Sequence, residues 1–457
     1  MLKRSAWSHI ESWSKQLHKK ALLIKGARQI GKTTLVREFA HQHYKYFAEI
    51  NFLENKDAAL IFEGALDANT IIQNLTAFLQ QPLTPGKTLI LLDEIQECPA
   101  ARTAIKFLVE DGRFDYIETG SLLGVKTRQV ESYPVGFEEH LQMFPLTFKE
   151  FCIANGVQEQ TINYLAECFE KKAPVAQAVH QTMLNLFSTY LVVGGMPEIV
   201  QEYVTSHDIS SVIALQNDLL NLYRLDIAKY ADAKDETKVR AIFDAIPLQL
   251  DDKNRRFILA DLAKSARSNR YQSSFLWLAN AGVALPCYNV SAPTAPLEAN
   301  SKHSLMKLFM GDTGLLSAAS FGNVQFDLLQ GKLEVNMGAI LENAIAQELR
   351  AGGFDLYYFN SKRIGEVDFV VQDGKNVLPI EVKSGNDWAK HKALDNLLAV
   401  DEWGVPEAMV LCKGNMQTRG NITYLPLYMI MFLKPATPPE HMKHEVDLSA
   451  LNHIPLQ

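Results

Sequence analysis

Eight residues near the N-terminus carry the most legible chemistry in this chain: Gly26-Ala27-Arg28-Gln29-Ile30-Gly31-Lys32-Thr33, followed by Thr34. Glycines in such a loop let backbone N–H groups turn inward around a phosphate, and a following helix N-terminus adds positive potential. Lys32 is spaced to reach the β- and γ-phosphates of ATP, and the Thr33 hydroxyl to ligate Mg²⁺. A second half-site follows at Thr88-Leu-Ile-Leu-Leu-Asp93-Glu94. An apolar strand delivers Asp93 to its polar end, where it holds Mg²⁺ through water, and Glu94 orients or deprotonates the attacking water. A buried strand that merely ends in acidic residues looks the same in isolation; the upstream loop selects the catalytic reading. Ser121, after another short apolar run, either senses the γ-phosphate and positions the water or is a turn serine.

These residues need a scaffold that brings strand ends together. Residues 21–24 read as a strand entering the loop, and Leu35, Val36, Phe39 and Ala40 form one stripe of the helix leaving it. Further strands at 46–52, 88–92 and 116–119 alternate with helical stretches, which predicts a parallel sheet covered on both faces. Residues 3–20 read as a basic, Trp-containing amphipathic helix. From 157 to 235 the pattern is helical, broken at Gly194-Gly195-Met196-Pro197, a structural turn since no lysine follows it. Residues 257–264 and 271–281 resemble the helices of a winged-helix module, with 291–300 as its loose wing loop. A helix over 338–349 and strands around Asp373-Gly374 close the chain. The expected division is 1–150 (P-loop domain), 151–235 (helical), 236–324 (winged-helix-like) and 325–457 (terminal α+β domain).

Lys25-Gly-Ala-Arg-Gln-Ile-Gly-Lys-Thr-Thr, Leu91-Leu-Asp-Glu-Ile-Gln and Thr119-Gly-Ser-Leu-Leu resemble the AAA-type prokaryotic ATPases paired with a C-terminal domain of unknown function. Phe144-Pro-Leu-Thr-Phe-Lys-Glu-Phe151, Gly194-Gly-Met-Pro197, Asp226-Ile-Ala-Lys-Tyr230 and Gly311-Asp-Thr-Gly-Leu315 extend the resemblance over nearly the whole chain. It implies an AAA-like nucleotide domain, a winged helix and a terminal nuclease-like fold. One departure stands out. Such proteins often carry an arginine after Tyr133-Pro-Val-Gly136, where this chain has Phe137; Arg128 is a substitute candidate for the phosphate-sensing arginine.

Near the C-terminus, Glu342, Asp368, Glu381 and Lys383 form an E…D…ExK pattern that resembles the restriction-endonuclease-like (PD-(D/E)xK) superfamily. If Asp373-Gly374 is a two-residue hairpin turn, Gln372 pairs with Lys375 and Asp368 lies opposite Pro379. Asp368, Glu381 and Lys383 then share a face, with the two carboxylates on diagonal positions about 7–8 Å apart. Such a pair can share Mg²⁺, with Glu342 adding a contact and Lys383 positioning or deprotonating water. Two readings stay open: a metal site, or a solvated charged face whose parity is upset by a bulge at Pro379.

Composition narrows the partners. A net charge of −7 excludes a chain coated in nucleic acid but leaves room for a local basic patch, such as Lys253, Arg255, Arg256, Lys264, Arg267 and Arg270. Five scattered cysteines without a CxxC pair point to reduced thiols in the cytoplasm. The N-terminal residues lack a signal-peptide core, and the longest apolar run, 424–433, is about half of the ~20 residues a membrane span needs. The expectation is a cytoplasmic, Mg²⁺-dependent ATPase acting as a nucleotide-driven switch. DNA or RNA is a candidate partner through the winged-helix and terminal regions, and a homo-oligomer is allowed. The alternative is a non-cleaving, ATP-dependent regulatory or DNA/protein-binding protein.

Overall fold

The computed structural model describes residues 2–64, 66–121, 134–252, 256–262, 268–322, 325, 329, 337–385, 387–436 and 443–447. Arg128, Lys253, Arg255, Lys264 and Arg267 lie outside them.

Five strands, β1 (Ala21–Lys25), β2 (Tyr46–Asn51), β3 (Thr88–Asp93), β4 (Asp115–Gly120) and β5 (Glu138–Gln142), form one sheet in the order β2-β3-β4-β1-β5. Every neighbouring pair is parallel. The inner strands β1 and β3 are apolar on both sides because both sides are covered. Leu22, Ile24, Leu89 and Leu91 join a core that includes α1 (Ala6–Ser14) and α2 (Lys32–His43). Ala21, Leu23, Ile90 and Leu92 join the core on the opposite face, with α3 (Ala68–Leu79) and α4 (Pro99–Asp111). Each such leucine or isoleucine removed from water contributes about 1.5–3 kcal/mol. The amphipathic N-terminal helix is shorter than its expected 3–20. It stops at Ser14, and the Trp13 indole N–H donates to the Lys20 carbonyl (2.8 Å).

A helical block follows: α5 (Phe148–Ala154), α6 (Glu159–Glu170), α7 (Gln177–Val193), α8 (Pro197–Ser206), α9 (Ile209–Tyr230), α10 (Glu236–Asp251), α11 (Ser268–Asn280) and α12 (Thr313–Phe321). α5 starts with a capping box, in which Thr147 and Glu150 satisfy each other's backbone N–H. Of the expected 257–264 helix, the described part is a single 3₁₀ turn, Leu259–Asp261. Just before it, Phe257 N–H donates to the Met306 carbonyl (2.9 Å), tying this segment to β7.

Strands β6 (Ala284–Val290) and β7 (Ser301–Met310) pair antiparallel across the 291–300 connection. They do not stand alone. β8 (Tyr357–Ser361) pairs parallel with β6, so the terminal sheet runs across the expected 324/325 boundary. With β9 (Gly365–Asp373), β10 (Asn376–Val382), β11 (Ala408–Cys412), β12 (Gln417–Arg419) and β13 (Ile422–Pro426), the mixed sheet has the order β12-β13-β11-β10-β9-β8-β6-β7. The buried Gly338–Gly352 helix contributes Ile340, Leu341, Ala344 and Ile345 to the core that also holds Phe369 and Ile380 of this sheet.

The hairpin register differs from the expected one. Asn376 pairs with Asp373 and Val377 with Gln372, so the turn residues are Gly374 and Lys375, one position later than Asp373-Gly374. Gly374, at φ +59°, takes the first turn position, where the left-handed conformation is needed. Pro379 faces Val370 and Ile380 faces Phe369, where the pairing ends; continued by one step, this register sets Asp368 opposite Glu381. The shift preserves the shared face and turns the diagonal pair into a facing one.

Within the helical block, the end of α7 meets α12 backbone to backbone. A Cβ on Gly314 would overlap the Val193 carbonyl oxygen, and one on Gly194 would lie 2.7 Å from Gly314 N. Gly314→Ala is expected to lower unfolding free energy in urea by roughly 1–3 kcal/mol. Gly86→Ala, at an open turn, should cost less, close to the backbone penalty alone.

Candidate functional site

β1 ends at Lys25 and the chain turns at Gly26, with φ +151° and no room for a side chain: a Cβ would overlap the Met143 carbonyl oxygen. Gln29 and Gly31 also have positive φ, and α2 begins directly at Lys32. Lys32 is 6% exposed, and its ammonium donates to the Gly26 (3.0 Å) and Ala27 (2.8 Å) carbonyls. Burial pushes its pKa down to about 8, against the opposing pull of Glu94 and Asp93. The ammonium therefore sits inside the loop that it would serve.

Because β4 lies between β1 and β3, the ends of three strands converge. Thr33 Oγ1 donates to Asp93 Oδ1 (2.9 Å), Thr119 Oγ1 donates to the same oxygen, and Asn51 Nδ2 donates to Asp93 Oδ2 (2.9 Å). Burial raises the Asp93 pKa, and the two threonine hydroxyls oppose the rise. Glu94 follows in a left-handed conformation (φ 54°), uncommon for a non-glycine residue. Its Oε2 accepts from Gln96 Nε2 (2.5 Å) and Ser121 Oγ (3.3 Å). Ser121 thus aims at Glu94. The structure brings Gly26 to Thr34, Asp93, Glu94 and Ser121 together.

These groups suit a Mg²⁺-nucleotide. Thr33 and Asp93 supply adjacent hard oxygens in a buried position where a cation would offset the desolvated carboxylate. The collision awaiting a Cβ at Gly26 shows the loop backbone packed directly against Met143 and Ile30, which fixes its turn.

The family motifs outside the loop converge on it. Arg28 pairs with Asp226 of α9, and Tyr223 OH donates to the Arg28 carbonyl (3.2 Å). Arg4 donates to the carbonyls of Ile30 (2.7 Å) and Phe144 (2.6 Å) and lies 3.4 Å from Glu150. Gly282 sits where a Cβ would be 3.0 Å from Ala27 N. Asp312 caps α12 through Leu315 N (3.1 Å) and accepts from Gly195 N (2.6 Å); burial raises its pKa to about 6. Sequence reasoning assigned no role to Arg4, Asn51 or Asp312, whose partners lie far away along the chain. Beside the loop, a cleft of about 840 Å³ runs between Lys25, Arg102 and His140 on one side and Tyr288, Arg350 and Tyr357 on the other.

The terminal constellation is assembled only in part. Lys383 Nζ lies 2.7 Å from Glu381 Oε1, and Asp368 Oδ2 accepts from Val382 N (2.8 Å). Glu381 Oε2 is buried without a partner, and burial beside Asp368 raises the Glu381 pKa to about 8. That orphaned oxygen suits a cation between Asp368 and Glu381. Glu342 does not join them: its carboxylate pairs with the Lys307 ammonium of β7 (3.3 Å), a residue the sequence pattern did not single out. Among the described residues, no group of three or more His, Cys, Asp or Glu is arranged to hold a metal ion.

Residues 18–152 match the family model of an AAA domain. Residues 184–325 and 337–430 match two domains of unknown function, DUF8612 and DUF4143. Over residues 18–152, then, the sheet and the loop are similar to an AAA domain. A protein of Haemophilus influenzae described as uncharacterized is 23% identical over 395 residues, covering 83% of this chain and 86% of its own. Among solved structures, the Walker-type ATPase of Pyrococcus abyssi aligns at 14% identity and a TM-score of 0.41, over 70% of this chain and 96% of its own. The RuvB Holliday junction branch migration motor of Thermotoga maritima aligns at 14% identity and a TM-score of 0.28, over 62% of this chain and 89% of its own. No helix among the described residues is long and apolar enough to cross a membrane.

The Lys32 pKa sets a direction for pH dependence. Its ammonium is present below about pH 8 and lost above it, so triphosphate affinity should fall as pH rises past that value. The fall should approach about tenfold per pH unit. Calorimetric titration with a non-hydrolysable ATP analogue from pH 7 to 9.5 checks this; Lys32→Met should bind weakly with that dependence removed.

Proposed function

We propose that this chain is a Mg²⁺-dependent ATPase acting as a nucleotide-driven switch, coupled to a terminal domain that engages nucleic acid. The observation that carries the reading is the convergence of Thr33, Thr119 and Asn51 on Asp93 beside a buried Lys32. The amides of 26–33 orient the phosphates, and Lys32 neutralises them. Bound Mg²⁺, held by Thr33 and Asp93, would supply charge stabilisation at the phosphates. Glu94 holds and deprotonates the attacking water, and Ser121 and Gln96 fix the Glu94 carboxylate. Arg28 reports the state of the loop to α9 through Asp226.

At the terminal site, Asp368 and Glu381 would hold a divalent cation, and Lys383 would position water for phosphodiester cleavage. Arg270, exposed within the winged-helix-like region, is available for backbone phosphates. A non-cleaving platform is the second reading, favoured by the Lys307–Glu342 pair. The five unpaired, buried cysteines support a cytoplasmic setting.

Lys32→Ala should abolish ATP turnover and weaken binding with an unchanged circular dichroism spectrum; unchanged turnover overturns the ATPase reading. Glu94→Gln should keep binding and lose on the order of 100-fold or more in turnover. Asp226→Asn should keep hydrolysis within a few-fold and lose the nucleotide dependence of protease protection in α9. For the terminal domain, Mg²⁺-dependent cleavage of DNA and RNA should fall in Lys383→Ala; equal activity removes Lys383 from the mechanism, and no cleavage by either favours the platform.

A further inference from the structure

Lys307 is a fully buried lysine on β7, outside the motif that defines the terminal acid site. Its ammonium lies 2.8 Å from Glu366 Oε1 and 3.3 Å from Glu342 Oε2, and 5.2 Å from the centroid of the Tyr358 ring. The second Glu366 oxygen accepts from Asn360 Nδ2. A lysine taken wholly out of water is costly unless it is paired, and here two carboxylates and an aromatic face pair it. The ammonium occupies the space between the Gly338–Gly352 helix and β9.

We propose that Lys307 is a built-in counter-cation of the terminal acid site. It withholds Glu342 from the metal and restricts the site to a single divalent cation on Asp368 and Glu381. This deepens, and rests on, the reading of that site as a cation site. Glu381 Oε1 is taken by Lys383 and Asp368 Oδ2 by Val382 N, while Glu381 Oε2 lies buried without a partner. Two carboxylates give Mg²⁺ or Mn²⁺ a weak, water-rich first shell, completed by a phosphate-bearing substrate. A third carboxylate would tighten the site, and Lys307 prevents this by pairing with Glu342 and Glu366 in place of a second cation.

The test is Mn²⁺ titration of the nucleotide-free full chain, by calorimetry and by the loss of the free-ion paramagnetic resonance signal. The quantity read is the component that Asp368→Asn removes. Glu342→Gln should leave this component within twofold of wild type, and Lys307→Met should tighten it by tenfold or more. A loss in Glu342→Gln as deep as in Asp368→Asn overturns the proposal, as does an unchanged affinity in a folded Lys307→Met protein. If Lys307→Met does not fold, the Glu342→Gln arm decides alone. The underlying cation reading fails separately. Asp368-dependent binding in wild type with unchanged affinity in Lys307→Met overturns the counter-cation alone; no Asp368-dependent binding in wild type overturns the cation reading and the proposal with it.

Discussion

Close backbone contact between the phosphate loop and the helical block is the constraint on which the arrangement depends. Gly282 lies against Ala27, while Gly194, Gly195 and Gly314 let three segments meet without side chains between them. Asp312 then ties two of those segments together through backbone N–H groups. Such contacts are short and stiff, because interiors at crystal-like density transmit displacement and do not absorb it. A loop held this way cannot change shape alone. The Arg28–Asp226 pair makes the connection chemically specific as well as steric.

The two charged centres solve the cost of burial differently. In the first, Lys32 is satisfied by neutral carbonyls of its own loop, so the ammonium is held without a carboxylate hydrogen-bonded to it. Phosphate offers a better partner than carbonyl oxygen, since hydrogen bonds between ionised groups are about twice as strong as neutral ones. In the terminal centre the opposite holds. Lys307 and Lys383 already face carboxylates, and what is left over is acceptor capacity at Glu381.

How much of this was legible in the sequence follows from the range of each interaction. The loop, its flanking strand and helix, and Asp93 at a strand end were readable because each is encoded within about ten residues of itself. The shared face of Asp368, Glu381 and Lys383 survived an error in the turn position, because the register changed by an even number and side-chain alternation has period 2. Asp226 was visible as part of a motif, but its partner Arg28 lies 198 residues away. Lys307 was not visible at all: a single lysine in an apolar strand reads as a surface residue unless the helix bearing Glu342 is known to cover it. Of the expected 257–264 helix, the described residues form a 3₁₀ turn at Leu259–Asp261 beside a contact from Phe257 to the distant β7, which local propensity does not contain.

The junction between β6 and β8 has a further implication for how this polypeptide can be divided. Cutting the chain near residue 324 would strip the terminal sheet of two strands and leave the β8 backbone without its neighbour. A bare flank of that kind invites pairing with another molecule's strand. The terminal portion expressed alone would therefore tend toward self-association, whereas a fragment beginning before Ala284 would carry its own edge protection.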